Sequence, residues 1–329
     1  MNKKILITGT AGLLGANFSR YLLKKNYEVL GIDDLSGGYK EFLPEHPRFT
    51  FFHFNLEDKN KLKSVFESYK PSTVFHFAAY AAEGLSPFIR NFNYKNNILA
   101  SANVINECIN YDCKLIFTSS MAVYGNQNPP FTEAMTLTPI DPYGIAKMAV
   151  EQDIKQAQDQ FGLRYSIVRP HNVVGIYQNI WDKYRNVIGI FIRRVLQGED
   201  ILVYGDGEQT RAFSDIEYYM EPFLKLIDNH DRETFNIGAD KHFTINDVAQ
   251  KIQNLNPLQS TNIVHVDKRH EALHAHCNHD KAKNALNFKD NTNIDTLIKK
   301  MYNWAKKQKP RDVINMDYEV TKNIYSYWK

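Results

Sequence analysis

Residues 8–15 read TGTAGLLG, directly after an apolar run, KKILIT (3–8), with the composition of a buried strand. Gly9, Gly12 and Gly15 fall three apart, and Leu14, Phe18, Tyr21 and Leu22 then recur at helical spacing. A strand, a glycine turn and a helix in that order make a phosphate cradle. Glycines allow a sharp turn, and they let a pyrophosphate approach backbone N–H groups where the helix dipole favours negative charge. The spacing alone is a weak signal, because glycines punctuate many turns. Its context strengthens it: the next apolar run, EVLGID (28–33), ends in Asp33, eighteen residues past Gly15. A carboxylate there accepts hydrogen bonds from both ribose hydroxyls and repels a 2′-phosphate. No arginine follows closely, so NAD is favoured over NADP.

Outward from this turn the alternation continues. Strands are expected at 49–54, 72–79, 114–120 and 164–170, and helices at 58–69, 91–110 and 143–160. The fold class that follows is α/β, a Rossmann-type doubly wound parallel sheet with a smaller C-terminal substrate-binding domain. Residues 1–172 are assigned to the first domain, with 210–240 returning to it, and 173–209 and 241–329 to the second. Beyond residue 170 the pattern loosens. It predicts helices at 186–198, 215–229, 244–254 and 294–308, and two short strands around a Gly-Asp-Gly turn at 201–213. The aromatic C-terminal stretch reads as packing onto the body.

The 329 residues carry a net charge of +3, which argues against a partner held by bulk electrostatics such as nucleic acid or an anionic membrane. Three cysteines, Cys108, Cys113 and Cys277, offer no disulfide framework and suit a reducing compartment. No apolar run approaches the roughly 20 residues that span a bilayer, and the N-terminus reads as a strand rather than a signal peptide. A cytoplasmic location is expected.

The second informative stretch is TSSMAVYG (118–125), followed by YGIAK (143–147). Tyr-x-x-x-Lys occurs five times, so the spacing alone carries little. Only Tyr143 and Lys147 begin a helix that follows a strand ending in Ser119 and Ser120, and residues four apart share one helix face. A free phenol titrates near pH 10, roughly three units too high for a base at neutral pH. A nearby ammonium and a cationic nicotinamide would both favour the phenolate. Ser120 could then hold a substrate hydroxyl toward Tyr143, while Lys147 tunes the phenol.

These motifs, with GIDDLSGG, VFHFAA, NYKNN, RPHNVVG, GDGEQTRAF and FNIG in order, resemble the extended short-chain dehydrogenase/reductase family. The resemblance covers nearly the whole chain and is closest to its UDP-glucose 4-epimerases. It implies that Gly9, Gly12, Leu13, Leu14, Gly15, Asp33, Asp34, Asn55 and Leu56 bind NAD. Phe77, Ala78, Ala79, Asn97, Ser119, Tyr143, Lys147 and Pro170 would complete that site. It implies a nucleotide sugar, UDP- or GDP-linked, held by Ser120, Met121, Tyr143, Asn172, Asn186, Arg211 and Arg269, the two arginines on phosphates. The implied reaction oxidises the C4 hydroxyl to a 4-keto sugar by hydride transfer to NAD, with net 4-epimerisation. The alternatives are a C4 dehydrogenase or 4-ketoreductase that releases its product, and a non-catalytic nucleotide sensor. Helices 91–110 and 143–160 would pair two subunits as a homodimer.

Three departures from the family pattern stand out. Asn55 replaces an aspartate near the adenine, and its carbonyl could still accept. RHEALHAH (269–276) replaces an Arg-Pro-Gly-Asp region. Met121 and Ala122 stand where the related dehydratases carry Asp-Glu, and the 3,5-epimerising relatives place a cysteine nearby. Neither residue can move a proton, which argues against dehydration and 3,5-exchange. His265, His270, His274, His276 and His279 cluster with Cys277 but lack closed zinc spacing, so exposed histidines in a polar loop are expected and no metal. His76 and His171 are given no catalytic role.

Overall fold

The computed structural model describes residues 3–256 and 261–328. The N-terminal part alternates β1 (Lys4–Thr8), α1 (Leu13–Lys24), β2 (Glu28–Asp33), β3 (Phe49–His53), α2 (Lys59–Tyr69) and β4 (Thr73–His76). It continues with α3 (Arg90–Tyr94), α4 (Ala100–Asn110), β5 (Lys114–Thr118), α5 (Pro142–Phe161) and β6 (Tyr165–Pro170). Between α3 and α4 the helix widens into a π-turn at Lys95–Leu99, a local irregularity inside the continuous helix expected at 91–110. Later come β7 (Val173–Val174), α6 (Val187–Gln197), β8 (Ile201–Tyr204), β9 (Thr210–Ala212), β10 (Ser214–Asp215), α7 (Met220–Leu226) and β11 (Glu233–Ile237). The chain ends with β12 (His242–Thr244), α8 (Ile245–Gln253), β13 (Ile263–Val266), β14 (His274–Ala275), α9 (Asp280–Leu286) and α10 (Ile294–Ala305).

Seven strands form one parallel sheet in the order β11-β6-β5-β4-β1-β2-β3. The order reverses between β1 and β4, so the chain departs in both directions from that point and leaves a crevice at the strands' carboxyl ends. Period-two alternation explains why both faces are covered. Ile5 and Ile7 face a core with Phe18, Phe223 and Leu286 from α1, α7 and α9, whereas Leu6 faces a core with Leu62, Val104 and Ile154 from α2, α4 and α5. Each such side chain contributes about 1.5–3 kcal/mol on burial. A buried ion pair fastens α5 to β6: Arg169 donates to both Glu151 carboxylate oxygens at 2.9 and 2.6 Å, and to the Tyr124 hydroxyl at 2.8 Å.

A separate apolar cluster joins α6, α8 and α10 over the crevice, with Ile192, Val248 and Met301 fully buried. Beside it, β9 sits between antiparallel β12 and parallel β14, while β8 pairs with β13. The aromatic terminus packs onto the body: Trp328 is buried against Phe88 and Tyr184, and Tyr327 stacks on Tyr204 at 4.6 Å. Among the described residues no helix is long and apolar enough to cross a membrane.

Candidate active site

At the glycine turn each glycine answers a different constraint. Gly9 has φ +72°, and a Cβ there would lie 2.7 Å from the Ala78 nitrogen. A Cβ on Gly15 would lie 2.2 Å from the Gly9 carbonyl oxygen, so Gly15 serves helix–turn packing rather than lining the cleft. Gly12 caps α1 without a side-chain bond to its N–H groups, and there a Cβ meets nothing nearer than 3.4 Å. The turn therefore presents free N–H groups to an open space that an anion could approach.

That space is a cavity of about 110 Å³ in which Gly12, Asp33, Asp34, Asn55, Leu56 and Ala78 take part. Asp33 accepts the Ala11 and Leu35 N–H groups, both at 2.8 Å, which braces the turn, and burial raises its pKa. Asp34 accepts from Ser36 N–H at 2.9 Å and from the Asn55 amide at 2.7 Å. The Asn55 carbonyl oxygen already accepts the Glu57 N–H at 2.9 Å, so one of its two lone pairs is engaged within the chain. Asn97 departs from expectation. Its amide clamps Tyr80, accepting its N–H at 3.0 Å and donating to its carbonyl at 3.2 Å, and it is Asn96 that lines the cavity.

Gly9, Phe77, Ala79 and Arg185 belong to this cavity and also to a larger one of about 470 Å³, so the two are continuous. Ser119, Ser120, Tyr143, Lys147, Leu13, Leu14 and Pro170 line the larger cavity. Tyr143 reaches it because Asp141 caps α5, accepting the Gly144 N–H at 2.9 Å, with Pro142 as the first helical residue. Lys147, one turn on, donates to the Thr118 carbonyl at 2.8 Å and sits 5.8 Å from the Tyr143 ring centroid. Ser120 accepts the Ala122 N–H at 3.1 Å, and its hydroxyl also interacts with the Tyr143 phenol.

The electrostatics differ from the tuning expected above. Burial, and then the Glu83 carboxylate, raise the phenol of Tyr143, while Ser120 partly offsets them. Burial pushes Lys147 down to about 7 against the pull of Glu151. The chain's own groups therefore keep the phenol protonated. Lowering it requires positive charge beyond Lys147.

The far wall holds Asn172 and Asn186. Both have left-handed backbone, φ +40° and +66°. The Asn172 amide nitrogen is buried without a partner, and Asn186 stands at the start of α6 with no capping bond from its side chain. An orphaned donor and an open helix N-terminus suit a diphosphate. Arg211 and Arg269 line this end, but the chain engages both. Arg211 donates to the Ala272, Leu273 and Thr210 carbonyls at 2.7, 3.0 and 2.9 Å, and to Glu271 at 2.8 Å. Arg269 lies 4.2 Å above the Tyr204 ring and 3.4 Å from Glu271. Met121 packs with Val123, Phe131 and Cys277 and reaches only a side recess.

Sequence reasoning missed three lining groups. Arg185 donates to Asp182 at 2.7 Å and lies 4.6 Å above Tyr80 where the cavities meet. Gln178 has both amide atoms buried and unpartnered. Glu83 enters from the loop after β4, so the cleft holds an ionisable group although Met121 and Ala122 supply none. The histidine segment also differs from expectation: His279 is buried, 2.6 Å from His171 and 3.0 Å from Asp240. His265, His270 and His274 are exposed. Among the described residues no cluster of potential metal ligands forms. His76 is buried between Thr8 at 2.7 Å and Ser101 at 2.9 Å, and burial lowers its pKa to about 3.

A family model for the NAD dependent epimerase/dehydratase family matches residues 5–238, which span the glycine turn, Asp33, Ser120, Tyr143 and Lys147. The chain belongs to that family. It is an enzyme of this NAD-dependent class. The chain is 30% identical to a putative UDP-glucose 4-epimerase of Methanocaldococcus jannaschii, over 92% of this chain and 98% of the relative. It is 27% identical to a UDP-glucuronate 4-epimerase of Thermodesulfobacterium geofontis, over 92% and 95%. Among solved structures, the UDP-glucose 4-epimerase of Thermotoga maritima with UDP-glucose superposes with a TM-score of 0.86 at 29% identity, over 92% and 99%.

Proposed function

We propose that the enzyme epimerises a UDP-linked sugar at C4. The observation that carries this is the convergence of Tyr143, Ser120 and Lys147 on one cavity, between the glycine turn and the unpartnered Asn172 amide. The Ser120 hydroxyl holds the C4 hydroxyl toward Tyr143, and the phenolate of Tyr143 removes its proton. NAD, which the glycine turn and Asp33 would hold, would supply a reversible hydride acceptor for C4 and a positive ring that favours the phenolate. Lys147, oriented by the Thr118 carbonyl, adds its ammonium below a pH of about 7. Asn172, Asn186 and the start of α6 hold the diphosphate, which leaves the sugar free to turn over inside the cavity.

Purified protein incubated with UDP-sugars in deuterated water tests the assignment. Epimer formation with no net nicotinamide absorbance change is expected. Net NADH formation would mean a dehydrogenase instead, and deuterium beside C4 would mean that another base acts there. We also propose a homodimer built on α3–α4 and α5, since Leu99 and Ile145 on these helices are 48% and 38% exposed. Sedimentation of wild type against Leu99→Asp checks it: the variant is expected to sediment as a monomer.

A further inference from the structure

Glu83 has no part in the reaction scheme, yet it lines the main cavity beside Tyr143 and also a recess of about 50 Å³ next to Met121 and Ala122. Its position is fixed by the catalytic helix. Ser86 donates its N–H at 3.2 Å and its hydroxyl at 2.8 Å to the Glu83 carbonyl, and its Oγ accepts the Tyr143 N–H at 3.1 Å. The turn that carries Glu83 is thus bolted to the first turn of α5. After burial, the Glu83 carboxylate is the strongest influence raising the Tyr143 phenol, which places the two groups within electrostatic reach.

Glu83 is exposed in the cleft, and its carboxylate takes part in no hydrogen bond or ion pair among the described residues. The neighbouring cations are already answered: Arg211 and Arg269 share Glu271, at 2.8 and 3.4 Å, although the Arg269 guanidinium packs against Gly84. The groups facing Glu83 are Asp141 and Tyr143 from α5, Arg211 from β9, and Arg269, His270 and Glu271 from the loop before β14. Three carboxylates therefore meet two guanidiniums, and Glu83 is the carboxylate left without a donor.

We propose that Glu83 determines sugar specificity: it accepts a hydrogen bond from a sugar hydroxyl flanking C4 and rejects sugars that carry a carboxylate. This rests on the C4 reading, because Tyr143 marks where C4 sits. A hydroxyl supplies the missing donor, whereas a uronate brings a second negative charge against Glu83 as the bound sugar displaces water from the cleft, and like charges so juxtaposed cost several kcal/mol. The discrimination depends on pH. The protein walls of the cleft, which limit hydration of the carboxylate, and then Asp141 raise Glu83 to about 7, with Arg211 opposing. Above that pH Glu83 is ionised and repels; below it Glu83 is neutral, while a sugar carboxylate, with an ordinary value near 3.5, stays charged. Rejection of uronates therefore strengthens as pH rises from 6 to 8.

The test measures kcat/KM for UDP-glucose and UDP-glucuronate with saturating NAD, between pH 6 and 8, for wild type and Glu83→Gln. A preference for UDP-glucose of about 100-fold is expected at pH 8, shrinking to about tenfold at pH 6. In Glu83→Gln the preference should fall below about tenfold and lose its pH dependence. A wild-type preference that is flat with pH, or one unchanged in Glu83→Gln, overturns the proposal. If neither nucleotide sugar is turned over, the C4 reading falls. The Glu83 proposal is then decided by equilibrium binding of the same two compounds to the NAD-loaded protein. A pH-dependent preference for UDP-glucose supports it, and equal affinity, or no binding of either, overturns it.

Discussion

At the glycine-turn end of the cleft, Asp33 accepts two backbone N–H groups and Asp34 accepts Ser36 and Asn55, so both carboxylates are braced before any ligand arrives and only backbone N–H groups stay open. At the sugar end, the Asn172 amide nitrogen, both amide atoms of Gln178 and Nε of Arg193 and Arg269 are buried without partners. The first end is a mould shaped by backbone and by residues close in sequence. The second is a set of side chains from distant segments that leave polar atoms without a protein partner. A buried donor left unpaired costs about 1–3 kcal/mol, so a ligand that pairs with one of these groups gains on that scale. Removing atoms from the mould should therefore damage fold and cofactor binding together, whereas removing side chains from the far end should change substrate affinity alone.

The largest effect is expected where the two ends meet. Tyr143→Phe should lower kcat by about 10²- to 10⁴-fold, the range for losing a positioned acid–base group. NAD binding and Tm should hold, because α5 is positioned by the Asp141 cap and the Glu151–Arg169 pair rather than by the phenol. A comparable loss of NAD affinity would mean that Tyr143 belongs to the mould. Next in size is Gly15→Ala. Its methyl would sit 2.2 Å from the Gly9 carbonyl oxygen, so α1 must separate from the turn, at about 3 kcal/mol or more. A lower Tm and weaker NAD binding should appear together, by calorimetry and by titration. If NAD affinity falls while Tm holds, Gly15 acts at the ligand instead.

The contrast between the two ends also explains what was legible in the sequence. Gly9, Gly12 and Asp33 could be read because backbone geometry demands glycine or a strand-end acid at fixed offsets. Tyr143 could be read because an Asp-Pro cap sets it on the first turn of a helix after the Ser120 strand. Glu83 could not: its neighbours Arg211 and Arg269 lie well over a hundred residues away, and no local pattern marks the loop that carries it. Arg211 and Arg269 were found by resemblance, but their engagement by Glu271 and by the carbonyls of 272 and 273 is a tertiary fact. Asn97 shows the opposite failure, since an asparagine in a familiar motif spends its amide on the Tyr80 backbone. How strongly burial acts on the Tyr143 phenol was illegible for a related reason. Burial depends on packing around the whole helix, and it outweighs the charge on Lys147.

A smaller effect is expected from Asn172→Ala, which deletes the orphaned donor. KM for a UDP-sugar should rise about tenfold, corresponding to roughly 1.5 kcal/mol for one hydrogen bond to a charged group. kcat, NAD affinity and Tm should change little, because the amide nitrogen supports nothing in the free protein. A fall in Tm would show that the far end is braced like the near one.

Asn55→Asp probes the mould most gently, by restoring the residue that the resembling family carries. Resemblance alone suggests tighter NAD binding, since a carboxylate is a stronger acceptor than an amide. The geometry argues otherwise. The Asn55 amide donates to Asp34 at 2.7 Å, so the substitution replaces a hydrogen bond with two carboxylates in contact. Losing that bond and adding the repulsion should weaken NAD binding by about 1 kcal/mol, a factor of about five, near neutral pH. The loss should shrink as added salt screens the pair. Tighter NAD binding would mean that the loop follows the ligand rather than shaping it. In that case the glycine-turn end would be less rigid than its internal hydrogen bonds imply, and more like the sugar end it is set against.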